Sequence, residues 1–459
     1  MQKTISETPG GTVTSGPPPA KSLVERLLSP IADVHPGEAT AALLMTLLMF
    51  LVLAAYYELK TAREVFILSE GGAEVKSYSS AGQALLLLAL VPAYGAFASR
   101  VNRERLVTWV TLFFVANVAL FVSAYGAGLR IGIPYFLWVG IFNVMVIAQF
   151  WALANDVFTP EQGKRLFPLI GVGSSLGAWV GSVRAGQLVS TEGPMRLLLG
   201  AGVVLVVCAF LARLVSRRAR RAATRTTTAA AVSGEPLGKE GGFELIRKDR
   251  YLLLIAALTV LLNVVNTSGE YLLGRYVVEQ AQALHGAGPE GAAARQVFIG
   301  ETYSRLFSTV NLLGLLLQMF VVSRVFAYLG VGKALFIHPL VAISGYALML
   351  TGPSLGLMTG VKIADNSVDY SLGNTTKQAL WLPTSREAKY KAKQAVDSFF
   401  MRAGDVIQAG IVFVGERLAL AVPAFAAITL VLAAGWLGVV GLLNVALRRK
   451  AEAARVSAL

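Results

Sequence analysis

Gly95-Ala96-Phe97-Ala98-Ser99-Arg100-Val101-Asn102-Arg103 is a short polar stretch between two long apolar ones, and part of it occurs twice. Ser99-Arg100-Val101 returns as Ser323-Arg324-Val325, a shift of 224. Thr159 and Lys164 have counterparts in Thr384 and Lys389 at a shift of 225. Glu58 and Arg63 match Glu270 and Arg275 at a shift of 212, the shortfall lying in the longer Ala/Gly-rich loop 280–300. One offset, with its discrepancy confined to one loop, marks a chain built of two related halves in parallel orientation.

The halves are apolar. The chain has 459 residues, 55% hydrophobic and 15% charged, with a mean hydropathy of +0.61. Soluble domains carry roughly 25% charge. Twelve apolar segments near bilayer-spanning length follow one another at 39–60, 78–98, 106–126, 133–155, 167–189, 195–214, 250–272, 302–323, 332–351, 354–378, 394–415 and 420–447. About 20 such residues cross a bilayer as a helix. The expected class is therefore an all-α integral membrane protein of twelve transmembrane helices, arranged as two six-helix bundles. Cys208 is the single cysteine and lies in an apolar run, which excludes an internal disulfide and a cysteine metal site.

The net charge of +14 sits in alternate connections: Arg100, Arg103 and Arg105, the run Arg217-Arg218-Ala219-Arg220-Arg221, and Arg448-Arg449-Lys450 at the end. By the positive-inside rule these are cytoplasmic, and so are both termini. That distribution accounts for the charge without a nucleic-acid partner. The expected organisation is a Gly/Pro/Ser/Thr-rich disordered tail over 1–38, a bundle over 39–214, a basic linker over 215–248, a bundle over 249–447 and a tail over 448–459. Leu23, Val24, Leu27, Leu28 and Ile31 of the first tail have the spacing of an amphipathic helix on the membrane surface.

Charges inside apolar segments are costly and mark function. Lys60 and Arg63 lie one turn apart at the outer end of the first segment, in Tyr57-Glu58-Leu59-Lys60-Thr61-Ala62-Arg63-Glu64. Two cations on one face call for a partner, an anionic ligand or water. The seventh segment carries Asn263, Asn266, Glu270 and Arg275, and the tenth carries Lys362, Asp365 and Asp369 at i, i+3, i+7. The eleventh carries Asp397, Arg402 and Asp405. We expect Lys60, Arg63, Asn263, Asn266, Glu270 and Arg275 to bind substrate, with Arg275 facing the first two from the other half. Asp365, Asp369, Asp397, Arg402 and Asp405 are the coupling or ion-pair candidates, with Glu270, Asp365, Asp369 or Asp397 as the carrier of a coupling proton. Lys164, Arg165, Lys389 and Lys391 read as a cytoplasmic gate that pairs with acids when closed. Gly173, Gly177 and Gly181 form a small-residue ridge for helix packing. His35, His285 and His338 are too dispersed for a metal site, and no phosphate loop of the pumping ATPases is present.

Six segments plus six in parallel is the arrangement of major-facilitator transporters, with substrate between the halves near the midplane. Gly95 to Arg103 resembles that superfamily's loop motif, departing from it at Ser99 and Asn102. Leu59-Lys60-Thr61-Ala62-Arg63-Glu64-Val65 resembles the first span of the ATP/ADP translocases of plastids and intracellular bacteria. Phe150-Trp151-Ala152-Leu153-Ala154-Asn155 with Gly163 to Gly173, and Lys391-Ala392-Lys393-Gln394-Ala395-Val396-Asp397, resemble two further junctions of that family.

The resemblance implies a divergent bacterial member whose first-span lysine falls on Arg63 and whose seventh-span glutamate falls on Glu270. The family's fourth-span glutamate falls on Val139, and its eleventh-span lysine falls near Asp405. It further implies a secondary transporter in the bacterial cytoplasmic membrane that moves an anionic solute by alternating access, ATP/ADP leading as substrate, by exchange or by import. The alternatives are a permease for another organic anion and a non-transporting sensor. No enzymatic activity, cofactor or metal is expected. The expected partners are the small anionic substrate and the lipid bilayer, and the expected state is a monomer.

Overall fold

The computed structural model describes residues 25–26, 32–98, 103–223, 241–352 and 354–456. The polar repeat at Ser99 to Asn102, the predicted tail helix apart from Glu25 and Arg26, and linker residues 224–240 lie outside them.

Among the described residues the apolar segments are helical apart from short turns such as Leu335-Phe336. The helices of the first half are α1 (Ala39–Ala98), α2 (Arg103–Gly126), α3 (Gly132–Val157), α4 (Pro160–Glu192) and α5 (Pro194–Ala223). A short α6 (Gly242–Lys248) precedes α7 (Arg250–His285), α8 (Ala292–Phe320), α9 (Val322–Ala334) and α10 (Ile337–Met349). Next come α11 (Leu355–Val368), a π-helical turn (Asp369–Gly373) and α12 (Asn374–Ala379). α13 (Ala388–Arg417) and α14 (Val422–Val456) complete the chain. All twelve predicted segments fall on helix. By length and apolarity alone, seven helices among the described residues reach the membrane-crossing standard, or eight if α8 and α9, bent by 74°, form one span. The difference has local causes. The first two segments are the two arms of α1 and count once, and α2 qualifies only as a shorter apolar helix over Leu112–Gly126. α10 is likewise short, and the tenth segment is broken by the π turn among its charges.

Local chemistry sets the helix ends. Thr159 and Gln162 form a reciprocal capping box at the start of α4, with Pro160 in the first turn. Asp249 caps α7 by accepting from the Tyr251 N–H at 2.8 Å. Within α1 the direction reverses at Gly72, whose φ of 74° is one that L side chains rarely adopt.

In the first half α1 packs on α3, α4 and α5, while in the second α7 packs on α11, α13 and α14. The glycine ridge of α4 lies directly on α1. A Cβ at Gly177 or Gly181 would overlap the carbonyl oxygens of Phe50 and Ala54, and one at Gly173 would stand 2.9 Å from that of Thr46. The halves meet through α4 against α8 and α1 against α7, α8 and α13. Ser304 Oγ donates to the Ser182 carbonyl at 2.6 Å, Asn311 donates to Ser182 Oγ at 3.2 Å, and Gln408 donates to Ser77 Oγ at 3.4 Å.

Three predicted boundaries shift. Ala32 and Val34 of the expected tail are buried, and the Asp33 carbonyl accepts from Arg165. The end of the linker is α6, packed on α7. The predicted tail from 448 continues α14, and Lys450 pairs with Asp249 at 2.8 Å.

Candidate functional site

α1 carries Lys60, Arg63 and Glu64 at i, i+3 and i+4, so they share one face. The predicted first segment ends at residue 60, but the helix continues through both cations to the Gly72 turn. They therefore lie within a helix rather than at its frayed end. Beyond the turn the second arm brings Lys76 back over Glu64, with Nζ 2.7 Å from Oε2. Arg63 holds the other oxygen of that carboxylate at 2.5 Å and lies 4.7 Å from the Phe136 ring. Glu64 is 1% exposed, so two cations neutralise a carboxylate that burial would otherwise penalise heavily.

The second half supplies the opposite wall. Lys76 Nζ lies 3.5 Å from Glu270 Oε2, and Lys362 Nζ lies 3.7 Å from Glu270 Oε1. Lys362 is fully buried and also contacts Asp365 at 3.0 Å and Asn266 Oδ1 at 2.9 Å. Asn366 donates to Glu270 at 3.3 Å. Asp405 accepts from Asn263 at 2.8 Å and pairs with Arg402 at 3.4 Å. A central cavity of about 190 Å³ is lined from both halves, by Lys60, Arg63, Glu64 and Lys76 on one side and Asn266, Glu270, Arg402 and Asp405 on the other.

Lys60 differs from its neighbours. Its Nζ lies 4.2 Å from the Phe307 ring centre and 5.1 Å from that of Tyr57. Among the described residues no carboxylate stands within ion-pair distance of it. Aromatic faces offset roughly 2 kcal/mol for a desolvated cation, less than its hydration loss.

The structure assembles part of the predicted set. Lys60, Arg63, Asn266, Glu270, Arg402 and Asp405 line one cavity, and Asn263 braces Asp405 behind it. Arg275 does not face Lys60 and Arg63. It pairs with Glu416 at 2.7 Å and Glu74 at 3.8 Å, because it lies more than a turn beyond Glu270 on α7. Asp397 is exposed beside Lys393 at 3.2 Å and does not line the cavity. Asp365 and Asp369 lie outside the lining, on either side of the His338 ring. The matched pairs of the repeat also diverge: Glu58 is fully buried against Arg184 at 3.0 Å, whereas Glu270 faces the cavity. Val139 is buried in an apolar cluster with Tyr135 and Phe142.

Of the gate candidates, Arg165 pairs within its own half, with Glu38 at 2.9 Å, while Lys164 and Lys389 are exposed. Glu38 precedes α1. Burial pushes its carboxyl up, but hydrogen bonds from Arg165, the His35 N–H and Gln162 outweigh this and hold it at about 2. Lys391 lies on the α13 turn whose carbonyl approaches Gly242 of α6.

Lys76 and His338 escaped the sequence reading. Lys76 fell in the supposed loop 61–77, although Gly71-Gly72 marks the true reversal and Val65 to Leu68 restore apolarity after Arg63. His338 has no metal-ligand spacing in the sequence, and its aspartate partners lie on α11 and the π turn after it.

No family model matches the chain. It is 21% identical to ADP,ATP carrier protein 5 of Rickettsia bellii over 85% of this chain and 89% of that protein. It is 23% identical to the plastidic ATP/ADP-transporter of Solanum tuberosum over 64% of this chain and 50% of that protein. Among solved structures, a bacterial homologue of the iron transporter ferroportin in its inward-facing state superposes with a TM-score of 0.62 at 13% identity. That match covers 88% of this chain and 98% of the other. The fold is thus the major-facilitator type, and the chain is a multi-pass membrane protein distantly related to carrier proteins.

Proposed function

We propose that this protein is a secondary transporter that moves an anionic solute by alternating access, with a nucleotide, ATP or ADP, as the leading substrate. The observation that carries the reading is Lys60. It is a cavity-lining cation within aromatic contact and without a carboxylate partner, while Arg63, Lys76, Lys362 and Arg402 around it are paired. An anionic group supplies the missing partner, and Arg63 adds a planar guanidinium suited to phosphate oxygens. Contacts between halves lie along α1, α4, α7, α8 and α13, and rocking one half against the other would open and close the cavity. The Rickettsia and plastid relatives, by their names carriers of ADP and ATP, favour the nucleotide. We place the chain in a bacterial cytoplasmic membrane, acting as a monomer because the cavity is complete within one chain.

One observation favours a second reading. The cavity, about 190 Å³, is smaller than the roughly 300–1,000 Å³ of most small-molecule sites, which suits a more compact organic anion. Uptake of labelled ATP into proteoliposomes, empty or preloaded with ADP, separates the readings. Uptake only after preloading supports nucleotide exchange, and uptake without preloading supports import. No uptake beside a functional control removes ATP as substrate.

A further inference from the structure

His338 stands one residue into α10, and its ring is enclosed by four other elements. α11 brings Asp365, whose Oδ1 lies 3.2 Å from Nε2. The π turn brings Asp369, whose Oδ1 lies 3.8 Å from Nδ1. α14 places Trp436 edge-on at 4.8 Å, and α7 adds Leu258 and Leu262 beside the ring. The charges facing the imidazole are therefore Asp365 and Asp369. Behind each stands a lysine, Lys362 at 3.0 Å from Asp365 and Lys377 of α12 at 3.6 Å from Asp369. Glu270, 3.7 Å from Lys362, is the next group along and opens on the cavity.

We propose that His338 is the proton-binding site through which the carrier is coupled to a proton gradient, an assignment that rests on the transporter reading above. A neutral imidazole has one N–H and one lone pair, so it serves only one of two flanking carboxylates. With Asp365 served through Nε2–H, the lone pair of Nδ1 faces the Asp369 oxygen. Both of those atoms are buried without a hydrogen-bond partner. A proton taken up at Nδ1 turns this opposition into a second charge-assisted hydrogen bond, and no covalent bond breaks. There is also space beside the ring. A void of about 20 Å³ bordered by His338, Thr376, Lys377 and Trp436 has room for about one water. Gly373 leaves Nδ1 uncrowded, since a Cβ there would stand 3.0 Å from it. The intervening π turn, an irregularity common at functional sites, sets Asp369 opposite the ring.

The same contacts lead to the cavity. A charged His338 competes with Lys362 for Asp365. Lys362 then leans toward Glu270, which is shared with Lys76 of the other half. Proton binding on the far side of α11 thereby loosens a link between the halves.

The test uses the full chain in nanodiscs with nitrogen-labelled histidine. There are three histidines, and His338→Gln identifies the resonances of this one. Acidification is expected to turn its ring signals from the neutral to the imidazolium pattern. Asp369→Asn, which removes the carboxylate facing Nδ1, is expected to suppress that change. In proteoliposomes an inward proton gradient should accelerate labelled ATP uptake by the native chain but not by His338→Gln, whose ADP-preloaded exchange at equal pH persists. A ring that stays neutral, a transition that Asp369→Asn leaves in place, or a gradient response that survives His338→Gln would overturn the proposal. If the native chain moves no ATP, the nucleotide assignment falls, and the ring signals decide the proton site by themselves.

Discussion

Lys76 Nζ stands 3.5 Å from Glu270 Oε2 and so ties the second arm of α1 to α7, the first half to the second. Lys76 is buried and keeps Glu64 as its nearer partner at 2.7 Å. Removing the Glu270 charge therefore loosens the join between halves without stranding the lysine.

We expect Glu270→Gln to favour separation of the halves. In a Cys208→Ser background, a cysteine at Ser304, now hydrogen-bonded across the interface to Ser182, reports this as maleimide labelling. A gain of roughly tenfold in rate corresponds to about 1.4 kcal/mol. An unchanged rate would show that the pair does not hold the halves together.

Lys60→Ala and Arg63→Ala should separate binding from folding. Lys60 has aromatic contacts and no carboxylate partner among the described residues, so its loss should weaken binding of labelled ATP about tenfold or more while leaving the thermal midpoint nearly unchanged. Arg63→Ala also removes one of two cations from buried Glu64 and should cost about 1–3 kcal/mol of stability. Equal loss of stability in both variants would contradict this division.

Glu38 predicts an acid-sensitive brace at the start of α1. Its folded carboxyl is held at about 2 against an ordinary value of 4.5. A depressed value means the stabilisation is present in full above 4.5 and is lost as pH falls toward 2. With Arg165 partly exposed, the pair contributes about 1 kcal/mol. Glu38→Gln should therefore lower the midpoint of thermal unfolding at neutral pH, and the gap from the native chain should narrow as the pH is taken below 4.5. A gap of constant size would refute the assignment.

Gly177→Val should damage assembly rather than binding alone. A side chain there would meet the Phe50 carbonyl, which as backbone moves only with the helix. Overpacking of this kind costs about 1–3 kcal/mol, occasionally more. Reduced yield and a lower unfolding midpoint are expected, whereas Gly171→Val, with open space at its Cβ, should be tolerated.

Apolar segment length, the offset repeat and the alternation of cations were legible in the sequence because each depends on composition along the chain. They fix a helical membrane protein and the polar residues it buries. The small-residue ridge at Gly173, Gly177 and Gly181 was equally plain, since helix periodicity alone puts those residues on one face. Which buried charges are spent on each other was decided only by the tertiary structure. Lys60 and Arg63 look equivalent in sequence, yet the Gly72 reversal folds Lys76 onto Glu64 and ties Arg63 into a triad that leaves Lys60 out. Arg275 matches Arg63 by the repeat offset, yet Glu416 of α13 claims it. His338 acquires its meaning from Asp365 and Asp369 on the next span. Charge pairing acts over a few ångströms in space and is indifferent to separation along the chain, so periodicity locates such groups but only packing selects their partners.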